Sequence, residues 1–335
     1  MKKFILKYTL ASFFGIMASC TGKPEKKGQE PSSEDQSETL GMQSWFLSTG
    51  DWQTDPQIYV REFGAGTDTV VLLHGGWGAE HSGMIAMVKG LEKEYKFFAH
   101  EQRGSLRSPF PDSLITYDNH ITDVELLRNE LGLDKLTLLG HSMGAVLASA
   151  YAQRYPEHVE KLILVSPAYL KNPFPAEDME LLQASRKASE EFIQRSEVEQ
   201  ELEKYDLSEE GSPLSSKGET IKNRIGFATR MLYDVDKWPK LNNGKALYKG
   251  EVYGLTESTY PENGWDFINE FKRQSYPISV IIGDHDFLDM ENHITRKWIA
   301  EIPRANFTSI NSGGHLLWID QPENLTETLR QTLNN

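Results

Sequence analysis

Leu136-Thr137-Leu138-Leu139-Gly140-His141-Ser142-Met143-Gly144 carries a short apolar run through Gly-x-Ser-x-Gly into the Ala-rich stretch that follows. The run reads as a buried strand, and Met143 to Tyr155, which stops before Pro156, reads as a helix. A serine on the sharp turn between the two is pushed outward. Glycines two positions before and two after it let neighbouring chains pass. The five-residue pattern alone is common. The strand before it and the helix after it supply the context that makes Ser142 a candidate nucleophile.

The same kind of run recurs along the chain. Val70 to Leu73, Lys96 to Ala99, Leu162 to Val165 and Ile278 to Ile282 are near-continuous rather than alternating, as in strands covered on both faces of a parallel sheet. Trp45-Phe46-Leu47 and Gln57 to Val60 read as two earlier strands joined by a polar turn. Helical patterns such as Ile121 to Leu131 lie between the runs, so strand and helix alternate. The spacing breaks once, between about 171 and 275, where charged helical stretches carry Phe192, Phe227, Met231, Tyr233 and Trp238. The expectation is a mostly parallel, doubly wound α/β sheet, with core residues 42–170 and 276–335 and a helical cap inserted at 171–275.

Composition narrows the function. The 335 residues hold 35 Lys+Arg against 49 Asp+Glu, a formal net charge of -14, with 39% hydrophobic residues. An acidic chain lacks the basic face that neutralises phosphates, which argues against nucleic acid as a partner. The hydrophobic share is too high for a disordered chain and too low for a polytopic membrane protein.

A nucleophilic serine needs a base and a group that orients the base. His315, in Gly313-Gly314-His315, follows the expected last strand, Asn306 to Ile310, and precedes a helix from about Pro322. A histidine on that loop can swing over the strand ends. His74, His100 and His141 sit at strand ends, where structural roles explain them more simply. For the acid, Ile282-Gly283-Asp284-His285-Asp286 offers two carboxylates. Asp286 is preferred because it sits further into the loop; Asp284 is the alternative and Asp289 a third. Together with Glu291 and His293 these side chains could be imagined as metal ligands, but acids and histidines are equally expected at a turn and a helix start, so no metal is assigned. His74-Gly75-Gly76-Trp77-Gly78 follows the first buried strand. Its Gly76 N–H, with the Met143 N–H, would receive an oxyanion. The order Ser142, Asp286, His315 is the one used by hydrolases that carry this serine turn, and the chemistry calls for no cofactor.

The N-terminus reads as an export signal. Lys2, Lys3 and Lys7 precede the apolar stretch Tyr8 to Met17, and Ala18-Ser19 lead into Cys20, the single cysteine of the chain. Met17-Ala18-Ser19-Cys20 resembles a lipobox. The expectation is a lipoprotein signal at 1–20, a lipid on Cys20, a disordered tether at 21–41, and a membrane-anchored bacterial protein facing the periplasm or the surface. The alternative is an ordinary cleaved signal.

With these residues in hand the chain resembles the α/β-hydrolase fold and, within it, the proline iminopeptidase family. The resemblance rests on Gly140 to Gly144, His74 to Gly78, Glu101-Gln102-Arg103-Gly104-Ser105-Leu106-Arg107-Ser108 and Ala150 to Val159. Family members remove an N-terminal residue, often proline, from short peptides, and read the free amine with acidic groups in or near the cap. The resemblance implies a Ser142–His315–Asp286 triad acting on a small peptide. The chain departs from the family pattern at Trp77, Glu101 and Leu106, where Pro, Asp and Gly are usual, and His141 and Met143 flank the serine as they do in esterases. A small acyl ester is therefore the alternative substrate, and a non-catalytic ligand-binding lipoprotein the remote one. The acids from Glu190 to Glu210 read most simply as a solvated helical face.

Overall fold

The computed structural model describes residues 42–207, 214–241 and 249–335. The signal, the tether and Cys20 lie outside these residues.

Among the described residues ten strands form in chain order: β1 (Gln43–Ser48), β2 (Gln57–Phe63), β3 (Asp68–Leu73), β4 (Tyr95–His100), β5 (Leu136–His141), β6 (Val159–Val165), β7 (Lys171–Asn172), β8 (Trp265–Asp266), β9 (Ile278–Gly283) and β10 (Ala305–Ile310). Eight of them make one sheet in the order β1-β2-β4-β3-β5-β6-β9-β10. From β4 to β10 all neighbours are parallel; β1 and β2 are antiparallel additions at one edge.

Burial on both faces explains the continuous apolar runs. Val71, Leu73, Leu138, Leu162 and Leu164 face one apolar cluster, shared with α2 (Tyr117–Glu130), α3 (Met143–Arg154), α8 (Phe267–Phe271) and α9 (His293–Ile299). Their neighbours Val70, Leu72, Leu139, Ile163 and Val165 face the other, shared with α1 (Ser82–Met87), α10 (Leu317–Asp320) and α11 (Pro322–Asn334). Alternate side chains thus point to opposite faces and both meet helices, which makes the sheet doubly wound.

The helical insertion lies between β6 and β9. It contains α4 (Met179–Ile193), α5 (Ser196–Glu203), α6 (Ser216–Met231), α7 (Gly250–Glu257) and α8. At its root β7 pairs antiparallel with β8, Lys171 opposite Asp266 and Asn172 opposite Trp265. The Ser215 hydroxyl accepts from the Gly218 N–H and starts α6. The insertion has a small apolar centre of its own, with Ile225, Ala228, Leu232, Val235, Trp238 and Leu241, and Ile319 of α10 completes it. The chain therefore enters and leaves the cap beside the sheet's carboxyl edge, where the candidate residues lie.

Candidate active site

Ser142 follows the last residue of β5 and precedes α3, with φ 52 and ψ -119. A non-glycine residue at positive φ stores strain, and that conformation lifts the side chain off the turn. The flanking glycines are fixed by contact. A Cβ on Gly144 would lie 2.0 Å from the Leu73 carbonyl oxygen, and one on Gly140 would lie 2.4 Å from that of Gly144. Ser142 itself is half-buried.

Asp286 and His315 meet as expected. The Nδ1 of His315 lies 2.8 Å from Oδ2 of Asp286, with both side chains buried. Oδ1 of Asp286 accepts from the Leu288 N–H at 3.0 Å. Burial works to raise the Asp286 carboxyl pKa; the imidazole beside it and these hydrogen bonds outweigh burial and hold it below the usual range. Asp286 is thus an ionised acceptor that fixes Nδ1–H on His315 and leaves Nε2 for chemistry. The other acids are used elsewhere. Asp284 accepts from the Gly313 N–H at 3.2 Å and bonds His285 at 2.7 Å. Asp289 accepts from Ile294 and Thr295 and starts α9. Glu291 and His293 pair with each other in solvent.

His141 is a positioning group. Its Nε2 lies 3.1 Å from the His315 carbonyl oxygen, and its ring packs 4.8 Å from that of His315 and 4.8 Å from that of Trp318. Burial lowers its pKa to about 3, so the ring is neutral and donates Nε2–H. The strand that carries the serine therefore holds the loop that carries His315.

Gly75 and Gly76 lie across from Ser142. A Cβ on Gly75 would fall 2.8 Å from the Ser142 Cβ, and Gly76 has φ 67. Among the described residues neither the Gly76 N–H nor the Met143 N–H has an acceptor. The loop is pinned from outside. The Gln102 N–H donates to His74 Nε2, the Lys249 N–H donates to the Gly78 carbonyl, and Trp77 stacks on His120 at 4.8 Å.

Sequence reasoning passed over two features. The first is the network behind the Gly-rich loop. Glu101 accepts from His81 Nδ1 at 2.8 Å, from the Arg107 N–H at 2.6 Å and from its guanidinium at 2.5 Å, with Glu80 alongside. Among the described residues Glu80, His81 and Glu101 form the one group whose donor atoms fall within metal-binding reach, but Arg107 already serves as its cation. Burial would raise the Glu101 carboxyl pKa, and the bonds from His81 and Arg107 overcome that and lower it. The second is Asp320, described below. Within the cap, Glu201 departs from the expected solvated face: it is 3% exposed and accepts from the Trp238 Nε1–H. Phe227 of the cap is 52% exposed.

Residues 68–322 match the family described as alpha/beta hydrolase fold. The chain belongs to that family. This α/β hydrolase is a hydrolytic enzyme that resembles the proline iminopeptidases: it is 25% identical over 278 residues to the proline iminopeptidase of Heyndrickxia coagulans, covering 82% of this chain and 93% of the relative. It is also 25% identical to that of Flavobacterium johnsoniae, covering 79% and 90%. Among solved structures, a bromoperoxidase from Bacillus anthracis superposes with a TM-score of 0.59 at 21% identity, covering 88% of this chain and all of that one. An esterase from Thermogutta terrifontis gives 0.59 at 20% identity, covering 87% and 98%. Those two likenesses concern the fold.

Proposed function

We propose that this hydrolase cleaves small substrates through an acyl-enzyme on Ser142, and that its substrates are short peptides with a free N-terminal residue. The observation that carries the reading is the buried Asp286–His315 hydrogen bond, on a loop tied by His141 to the strained Ser142 turn. Ser142 attacks the carbonyl carbon while His315 Nε2 takes the hydroxyl proton, a step worth ~10²–10⁴-fold. Charge then develops on the carbonyl oxygen. The Gly76 and Met143 N–H groups are free to receive it, and each such donor is worth ~10²–10³-fold. His315 returns the proton to the leaving amine, and water repeats the sequence to release the acyl group. Asp286 stays ionised and holds the imidazole throughout. Every step uses side chains and backbone N–H groups of this protein and one water, so the reading requires no cofactor.

The peptidase reading draws on relatives called proline iminopeptidases over most of the chain. A carboxylesterase is the second reading, favoured by His141 and Met143 beside the serine. The test compares a prolyl arylamide with a free amine, its N-acetylated form and a short acyl ester, each repeated with Ser142→Ala. Cleavage of the free-amine compound alone supports the peptidase. Ester cleavage without amine dependence overturns it and leaves the acyl-enzyme intact. We also propose that Cys20 carries a lipid which holds the enzyme at a bacterial membrane. Mass spectrometry of the mature N-terminus tests this, and a free amine on a later residue would exclude the anchor.

A further inference from the structure

Several backbone groups of the loop that carries His315 are tied down by hydrogen bonds. The Gln321 side chain donates to the Ser312 carbonyl at 3.0 Å. The Gly313 N–H reaches Asp284, and its carbonyl accepts from the His285 N–H at 2.9 Å. His141 holds the His315 carbonyl. The Gly314 N–H goes to Oδ2 of Asp320 at 2.9 Å. That same Oδ2 accepts from the Tyr233 N–H at 2.7 Å, and Oδ1 accepts from the Asp234 N–H at 3.2 Å.

Asp320 is therefore shared between two bodies. Gly314 belongs to the loop of His315, whereas Tyr233 and Asp234 belong to the cap just after α6. The carboxylate is 3% exposed, and among the described residues no ammonium or guanidinium lies within 4.0 Å of it. Three N–H groups, one from the loop and two from the cap, bond its oxygens, and burial raises its pKa in spite of them. Lys237 reaches only its main-chain oxygen, at 2.9 Å, while pairing with Asp234.

The surroundings tighten the link. A Cβ on Gly314 would lie 2.7 Å from the Met231 carbonyl oxygen and 2.8 Å from the Tyr233 nitrogen, so cap backbone rests directly on loop backbone. The Leu316 N–H donates to the Met231 carbonyl at 3.2 Å. One residue before Asp320, Ile319 fills the apolar centre of the cap. On the other side of the segment, the Tyr233 ring packs 4.7 Å from His285, next to Asp286. Residues 231–234 thus touch the loops of both His315 and Asp286.

We propose that Asp320 is a positioning residue for His315, acting through Gly314, and that it makes docking of the cap and alignment of the imidazole a single event. The proposal rests on the role given to His315 above. It predicts that the cap cannot lift at residues 231–234 without releasing the Gly314 amide, so cap opening switches the catalytic histidine out of register.

Hydrogen exchange and kinetics on the full-length protein test it. In the wild-type enzyme the amides of Tyr233, Asp234 and Gly314 should exchange with a common opening constant. A Gly314 amide that stays protected while the two cap amides exchange would overturn the proposal without need of any variant. Kinetics use 4-nitrophenyl acetate, with Ser142→Ala and His315→Ala as baselines. Asp320→Ala should lower kcat by ~10–100-fold through misplacement of the imidazole. KM should stay within about threefold, because this small ester needs little of the cap. Asp320→Asn keeps an acceptor for Tyr233 and Gly314 and should restore kcat to within about threefold of wild type. A merely structural role would lower the thermal midpoint and leave kcat of the folded protein unchanged, and that result overturns the proposal. Wild-type turnover in both baseline variants would instead refute the role of His315, while the exchange result still decides whether cap and loop open together.

Discussion

Asp286 and His315 stand 29 residues apart in sequence and 2.8 Å apart in space, on loops that leave the adjacent parallel strands β9 and β10. Because those strands end side by side, two short loops suffice to bring acid and base together at the sheet's carboxyl edge. The acid choice is therefore testable by a pair of variants. Asp286→Asn should cost ~10³–10⁴-fold in kcat by permitting the wrong imidazole tautomer. Asp284→Asn, at a side chain that bonds His285 and the Gly313 N–H, should cost less than about tenfold. Steady-state rates on one substrate decide, and equal losses would contradict the assignment.

The turn at Ser142 depends on absent side chains. Gly144→Ala sets a Cβ 2.0 Å from a main-chain oxygen of β3, where nothing flexible can yield. Overpacking of this kind costs roughly 1–3 kcal/mol or more, so thermal denaturation should show a lower midpoint even with Ser142 intact. An unchanged midpoint would mean that β3 and α3 leave room for a methyl group at Gly144.

Arg103 and Asp123 form a buried bidentate pair, at 2.7 and 2.6 Å. Burial pushes the Asp123 carboxyl up to about 6 in spite of the guanidinium. Arg103→Leu would strand that carboxylate and should cost about 3–5 kcal/mol at neutral pH. Arg103→Leu with Asp123→Leu should recover most of the loss in chemical denaturation. Failure of the double variant to recover would assign the cost to packing instead.

Stability should fall on acidification. Burial lowers the pKa of His100, His120 and His141 to about 3, against about 6.5 in an unfolded chain. The folded state thus binds fewer protons than the unfolded one in that interval. The histidine contribution is full above pH ~6.5 and is lost as pH falls toward ~3; these rings take up to about three protons on unfolding, and Asp123 offsets about one of them below pH ~6. The slope of unfolding free energy against pH measures that uptake, and a flat profile from pH 7 to pH 4 would contradict it.

Much of this was legible in the sequence because the decisive signals are local. Val70 to Leu73 reads as a two-face-buried strand because both neighbouring layers demand apolar side chains. Ser142 and His315 stand on turns whose glycines mark them. Asp286 over Asp284 followed from position in the loop, and the bond to His315 agrees with it. Asp320 left no such mark. Its acceptors serve backbone N–H groups of Tyr233 and Asp234, 87 and 86 residues away, and backbone donors carry no residue-type signal. Glu201 was hidden for a related reason: a run of glutamates looks uniformly solvated, and only the fold brings Trp238 against one of them. The pairing of Trp77 with His120 likewise joins a loop to a helix with no shared periodicity.

The most direct measurement is labelling of the enzyme with a fluorophosphonate, followed by peptide mapping, in the wild type, His315→Ala and Asp286→Asn. The account predicts one adduct, on Ser142, formed at least ~10²-fold more slowly in both variants because the base that activates the hydroxyl is gone or misoriented. An adduct on another serine, or Ser142 labelling at an undiminished rate without His315, would contradict it.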